Sequence, residues 1–153
     1  MIFATVGTHQ DGFARMLDAL AALGDGEELV VQHGHGRPPA NATEARPFYD
    51  FGEMVARFER ARVVVTHAGV GSILLATRSG HVPIVMPRMR RHGEHVDDHQ
   101  VELARALERD GRVLVCWEAA QLPALVAAAP PRGQGRRPAG TLAAAVARAL
   151  RGD

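Results

Sequence analysis

The run Val63-Val64-Val65-Thr66-His67-Ala68-Gly69-Val70-Gly71-Ser72-Ile73 passes from a block of three valines into a glycine-punctuated turn. Three consecutive β-branched apolar residues, closed off by glycines, read as a strand buried on both faces, the pattern of a parallel sheet. The turn then feeds a helix. Ser72 is the expected N-cap of a helix from Ile73 to Ser79, and Gly69 and Gly71 let backbone come close to a ligand. Unpaired N–H groups and the dipole at such a helix start suit phosphate. A lone Gly-x-Gly is equally compatible with a plain strand-to-helix turn that binds nothing.

Working outward, the same strand-then-loop grammar recurs. Ile2 to Val6 is an apolar strand ending in the polar loop Gly7-Thr8-His9-Gln10-Asp11-Gly12. Phe13, Met16, Leu17, Leu20 and Leu23 then follow at helical spacing up to Gly24. Glu28 to His33 is the second strand, and Gly34 to Arg46 reads as a loop. Pro47 to Phe51 is expected to be a short third strand, followed by a helix from Glu53 to Ala61. Beyond the glycine turn come a strand from Val82 to Met86, a helix carrying Val101, Leu103, Ala104 and Leu107, and a last strand from Val113 to Cys116. Glu118 to Ala129 is expected to be helical, with Pro123 tolerated in its first turn. Alternation of about six strands with about five helices predicts an α/β fold, a Rossmann-like doubly wound parallel sheet. Residues 1–129 form the expected domain, and residues 130–153 a mobile Pro/Gly/Arg connector and a terminal helix packing on it.

Composition narrows the classes. A chain of 153 residues makes one ordinary domain with a single substantial core. Its 18 basic and 17 acidic residues leave a formal charge of +1, so nothing global draws it to nucleic acid. Every basic residue is arginine; a coding bias is the simplest cause, although guanidinium also suits phosphate. The one cysteine, Cys116, fits a reducing cytoplasm and a packed core thiol. No signal peptide and no run of about 18 apolar residues is seen, so a cytoplasmic location is expected.

In a doubly wound sheet, ligands bind outside the carboxyl ends of the strands. The loops Gly7–Gly12, Thr66–Ser72 and Arg88–Gln100 all follow strands and should meet there. A diphosphate would be held near Ser72 and by backbone at Gly7 and Thr8, with Arg88, Arg90 or Arg91 neutralising charge. His92, His95 and His99 with Glu94, Asp97 and Asp98 invite a metal reading. The order is not His-Glu-x-x-His, however, and no metal site is expected. Without any lysine there is no P-loop, and no Gly-x-Ser-x-Gly elbow marks a serine hydrolase.

Three motifs together, Val6-Gly7-Thr8-His9-Gln10, Thr66-His67-Ala68-Gly69-Val70-Gly71-Ser72-Ile73-Leu74 and Gly93-Glu94-His95-Val96-Asp97-Asp98-His99-Gln100-Val101-Glu102, resemble the glycosyltransferase family 28 C-terminal domain. The likeness is closest to its small stand-alone members, catalytic subunits of two-part enzymes that make lipid-linked oligosaccharides or exopolysaccharides. The resemblance implies the donor-binding half of a GT-B enzyme, an inverting transferase that takes a UDP-sugar as substrate and needs no cofactor. It assigns donor contacts to Gly7, Thr8, His67, Ala68, Gly69, Gly71 and Ser72, and to Gln100 with Asp98 and His99 beside it. Acceptor binding falls to a membrane-associated partner of GT-B N-terminal type, which would hold this chain peripherally at the inner membrane face. His9 is the candidate general base. Homodimerisation through exposed apolar helices stays open.

One position departs from the family pattern. Where family members commonly carry a glutamate that accepts the ribose hydroxyls, this sequence has Leu75. Either Glu94 or Asp98 takes over that role, or nucleotide binding is altered, or the chain is a catalytically silent binding or regulatory subunit.

Overall fold

The computed structural model of the chain describes residues 1–152; Asp153, the last residue of the expected 130–153 segment, lies outside them. The valine block forms β4 (Val63–His67), which lies beside β1 (Ile2–Thr5) in parallel register, Ile2 opposite Val63 and Thr5 opposite Thr66. On the other side of β1 come β2 (Leu29–Gln32) and then β3 (Glu44–Arg46), while β5 (Ile84–Met86) and β6 (Leu114–Val115) continue beyond β4. The result is a six-stranded sheet, all parallel, ordered β3-β2-β1-β4-β5-β6. The chain order reverses between β1 and β4. That switch point opens a crevice at their carboxyl ends.

Side-chain alternation explains why the strands are apolar throughout. Ile2, Ala4, Val63, Val65, Ile84 and Met86 point to one face, where α1 (Ala14–Ala21) and α5 (Leu122–Ala128) cover them. Phe3, Val30 and Val64 point to the other, against Phe58 of α2 (Phe51–Arg60) and Ala76 of α3 (Val70–Arg78). On that same face Val85 and Val115 meet Leu103 and Leu107 of α4 (His99–Arg109) and Leu142, Ala145 and Val146 of α6 (Leu142–Arg151). Cys116 is buried, and burial pushes its thiol up to about 11.

Three local expectations are corrected. The third strand is Glu44–Arg46 and not Pro47–Phe51: Pro47 brings no N–H to a ladder, and Asp50 caps α2 in a reciprocal box with Glu53. Gly69, in extended conformation, is the N-cap of α3, so Ser72 sits inside the first turn. The stretch from Pro130 to Gly140 is no free connector. Gly133 N–H bonds Gly80 O at 2.8 Å, Arg132 reaches Ser79 O at 2.5 Å, and Arg112 donates to Ala139 O at 2.8 Å and Gly140 O at 3.2 Å. Pro123 falls at the first turn of α5, where the missing N–H costs nothing.

Phe58 is fully buried, its ring edge-on to Phe3 at 5.3 Å between centroids. Phe58→Ala should therefore destabilise the fold by about 3–5 kcal/mol in urea denaturation, whereas loss of the α2 cap in Asp50→Ala should cost only about 1 kcal/mol.

Candidate functional site

At the switch point the β1 and β4 loops face each other across a cavity of about 280 Å³, lined by Gly7, Thr8, His67, Gly69, Gly71 and Ser72 among others. Two glycines are there for a steric reason. A Cβ on Gly7, whose φ is +81°, would come within 2.5 Å of the His67 ring, and one on Gly69 within 2.1 Å. Both loops are thus packed onto the imidazole of His67, so these glycines answer a packing need of the turn itself. His67 Nε2 lies 3.2 Å from Ser72 Oγ, and its Nδ1 is buried without a partner. Burial, then the charge of Arg88, then His9 push the His67 pKa down to about 4. The ring is neutral at physiological pH.

The amides in this crevice divide into committed and open ones. Gly7 N–H is directed at Thr5 Oγ1 and Gln32 Oε1, both at 3.2 Å, side chains that line the same cavity. Among the described residues Thr8 N–H has no partner. Gly69 has no capping side chain, which leaves the first-turn N–H groups of Val70, Gly71 and Ser72 available at the positive end of α3. An anion set between Thr8 and that helix start meets several donors at once.

Gln100, at the start of α4, links two of the loops at this edge. Its Oε1 accepts from Ala68 N–H at 3.2 Å and Arg88 N–H at 3.0 Å, tying the β4 loop to the β5 loop. Arg88, expected to neutralise a bound diphosphate, lies instead underneath, only 1 % exposed. Its guanidinium donates to Val6 O, Asp11 O, Gly12 O and Glu94 O at 3.1–3.3 Å and lies over the Phe13 ring. Glu94 is spent as well: it grips Arg15 through two bonds of 2.9 and 3.1 Å and accepts Met89 N–H at 3.0 Å. Asp98 caps Arg90 N–H and lines a separate hollow with Trp117 and Arg105. His99 stands exposed beside Asp97 and Glu102. Hence Gly7, Thr8, His67, Gly69, Gly71 and Ser72 line one cavity, Ala68, Gln100 and Arg88 are joined to one another beside it, and Glu94, Asp98 and His99 are engaged elsewhere.

His9 sits on the β1 loop with its ring 5.2 Å from that of His95. Its Nδ1 accepts Asp11 N–H at 3.1 Å, so the neutral ring carries its proton on Nε2. Among the described residues no three His, Cys, Asp or Glu side chains are grouped to hold a metal ion. No helix among them is long and apolar enough to cross a membrane.

Several lining residues escaped the sequence reading. Gln32 donates to Gly7 O at 3.0 Å and Pro47 O at 2.6 Å while its Oε1 takes Gly7 N–H, fixing the first loop. A polar residue at the carboxyl end of the run Leu29-Val30-Val31 was the available signal. Phe48, Tyr49 and Met54 form the apolar end of the cavity, with Phe48 43 % exposed and edge-on to His35. They were hidden by the misplaced third strand. Leu75 packs beside Tyr49 and Met54 against the core.

A doubly wound, all-parallel six-stranded sheet with helices on both faces is an α/β fold of the Rossmann type. More narrowly, the chain belongs to the glycosyltransferase family 28 C-terminal domain family, whose model matches residues 1–127. It is also similar to UDP-N-acetylglucosamine transferase subunit ALG13 of Yarrowia lipolytica (strain CLIB 122 / E 150), with 36% identity over 63 residues. That match covers 41% of this chain and 30% of the relative.

The depressed His67 pKa makes stability pH-dependent. Unfolded, the imidazole titrates near 6.5; folded, near 4. Between those values the unfolded chain binds more protons, so His67 supports the fold fully above pH 6.5 and progressively less as pH falls towards 4, by about 3 kcal/mol in all. His81, whose pKa burial also lowers, acts in the same direction. Denaturation midpoints measured from pH 7 to 4 should fall for the native chain and fall less steeply for His67→Asn.

Proposed function

We propose that this chain binds the nucleotide-sugar donor, a UDP-sugar, of an inverting, metal-independent glycosyltransferase. The observation that carries the reading is the convergence of Thr8 N–H and the uncapped start of α3 on one crevice at the β1/β4 switch point. The diphosphate lies between those donors, where the helix dipole stabilises the negative charge that grows on it as the sugar departs. The base and ribose extend towards Phe48, Tyr49 and Met54, the apolar end of the cavity. With Arg88 buried, charge compensation comes from the amides and the dipole.

This domain offers one wall of a cleft. The acceptor, a lipid-linked or polysaccharide hydroxyl, is supplied by a membrane-associated partner of GT-B N-terminal type, and the chain works in the cytoplasm at the inner membrane face. The relative's printed name, a transferase subunit, agrees with that division. His9 remains the candidate base. Its Nδ1 lies 3.6 Å from Asp11 Oδ2, so a shift of the Nδ1 contact from the Asp11 amide to the carboxylate moves the proton to Nδ1 and frees Nε2 to take one from the acceptor hydroxyl.

Leu75 favours a second reading, a silent subunit that kept the fold. Neither Glu94 nor Asp98 lines the crevice to replace the missing ribose acceptor. Calorimetric titration with UDP and UDP-sugars, partner supplied, separates the two, since complete absence of heat supports silence.

Within the transferase reading, Ser72→Asp is the sharpest probe. A carboxylate in the first turn favours the helix but repels a diphosphate, so thermal stability should hold while UDP affinity drops at least about tenfold. Retained affinity would place the diphosphate elsewhere. His9→Ala, assayed with the partner, should lower turnover by about 10²–10⁴. Unchanged turnover would remove His9 from the mechanism.

A further inference from the structure

We infer that the amino-terminal edge of the sheet, opposite the crevice, carries a second binding site, and that its ligand bears a phosphate group next to an apolar portion. A cavity of about 580 Å³ lies there, within the size range of small-molecule sites. Its walls come from the end of α3, the approach to β5, the 130–140 segment and the start of α6.

Charge is the first argument. Among the described residues Arg78, Arg112, Arg136 and Arg137 line this cavity and no carboxylate does. Several arginines elsewhere are matched, Arg15 with Glu94, Arg57 with Glu44, Arg60 with Glu28 and Arg62 with Glu27, and the unpaired Arg109 and Arg148 share their hollow with Asp110. Arg112 is matched as well, held by Asp110 while it pins Ala139 O and Gly140 O. The guanidiniums of Arg78, Arg136 and Arg137 have no ion pair or hydrogen bond among the described residues. In a chain whose charges nearly cancel, three uncompensated guanidiniums around one concavity create a local positive field.

Directed donors are the second argument. Thr141 caps α6 by accepting Ala144 N–H at 3.1 Å, and the first-turn residues Leu142 and Ala143, whose N–H groups a helix leaves without internal partners, border the cavity. The ten-residue α6 thus presents its positive end among the arginines. This end is held in place and not draped: Gly133 N–H is bonded to Gly80 O, and the Arg112 fork fixes the chain just before Thr141. In the same wall, Thr77 Oγ1 is buried without a hydrogen-bond partner.

The third argument concerns the rest of the ligand. Leu74, Val82 and Leu142 give the cavity an apolar lining beside its cationic rim. A bare inorganic anion would leave that surface unused, whereas a phosphoryl group on a compact apolar body uses both. Two sources share this chemistry, a soluble phosphorylated small molecule and the headgroup region of an anionic phospholipid.

The test uses the intact chain, isotopically labelled, with inorganic pyrophosphate as probe and amide NMR as readout. Saturable shifts are expected at Gly80, Gly133, Leu142 and Ala143, separate from any at Thr8 and Val70. They should require at least tenfold more pyrophosphate in Arg136→Glu/Arg137→Glu. The same charge change at Arg109→Glu/Arg148→Glu, a pair lining a hollow elsewhere, should leave them unaltered. Absence of shifts at those four amides, or equal weakening by both double variants, overturns the proposal. Flotation with phosphatidylglycerol vesicles, against phosphatidylcholine, then assigns the source. Flotation that pyrophosphate competes away and Arg136→Glu/Arg137→Glu abolishes identifies a lipid headgroup; pyrophosphate binding without flotation identifies a soluble ligand.

Discussion

A guanidinium sealed from water must find acceptors for its N–H groups, because each one left bare keeps its full desolvation cost. Arg88 meets most of that demand: its two terminal nitrogens donate to four backbone carbonyls, Val6, Asp11 and Gly12 after β1 and Glu94 after β5, while its Nε stays buried without a partner. Phe13 lies beneath its plane, adding a cation–π contact. Burial opposes the charge, and the nearby carboxylates of Glu94 and Asp11 support it. The arginine therefore staples the β1 loop to the loop after β5. Gln100 makes the companion link from the loop after β5 to that after β4. Strip out these two side chains and the rim of the sheet loses the bonds that hold its three loops in one arrangement.

That scheme shows why the sheet was legible in the sequence and the polar wiring was not. Strand identity rests on the residue itself: Val63-Val64-Val65 is apolar on both faces in any context, and Gly24, Gly80 and Gly111 mark helix ends by backbone preference. The convergence of Gly7, His67 and Ser72 followed from the rule that such loops share one edge. Arg88 could not be placed by type. An arginine after a strand reads as a phosphate ligand until its depth is known, and depth is decided by Phe13, Glu94 and the turn at Gly12 acting together. Glu94 was misjudged for the same reason, its partner Arg15 lying far away in the chain. The third strand was mistaken because aromatic residues at Phe48 and Tyr49 imitate β propensity, while the decisive signal was the pairing of Asp50 with Glu53.

His67 shows how one side chain serves packing and chemistry together. Its ring fills the gap between two glycines, so either loop would have to move to admit a larger residue. The same enclosure keeps it uncharged, and its contact with Ser72 orients a hydroxyl at the helix start. Meanwhile α3 spans the sheet from edge to edge. Gly69 to Ser72 stand at the crevice, and Leu74, Thr77 and Arg78 reach the arginine-lined cavity at the other end.

The outermost strands of the sheet are short, three residues in β3 and two in β6. An exposed strand edge invites addition of a foreign strand in proportion to its length. Little ladder is on offer here, which disfavours docking by extension of the sheet and leaves helix faces and loop tips, where side-chain identity rather than backbone pairing selects a companion.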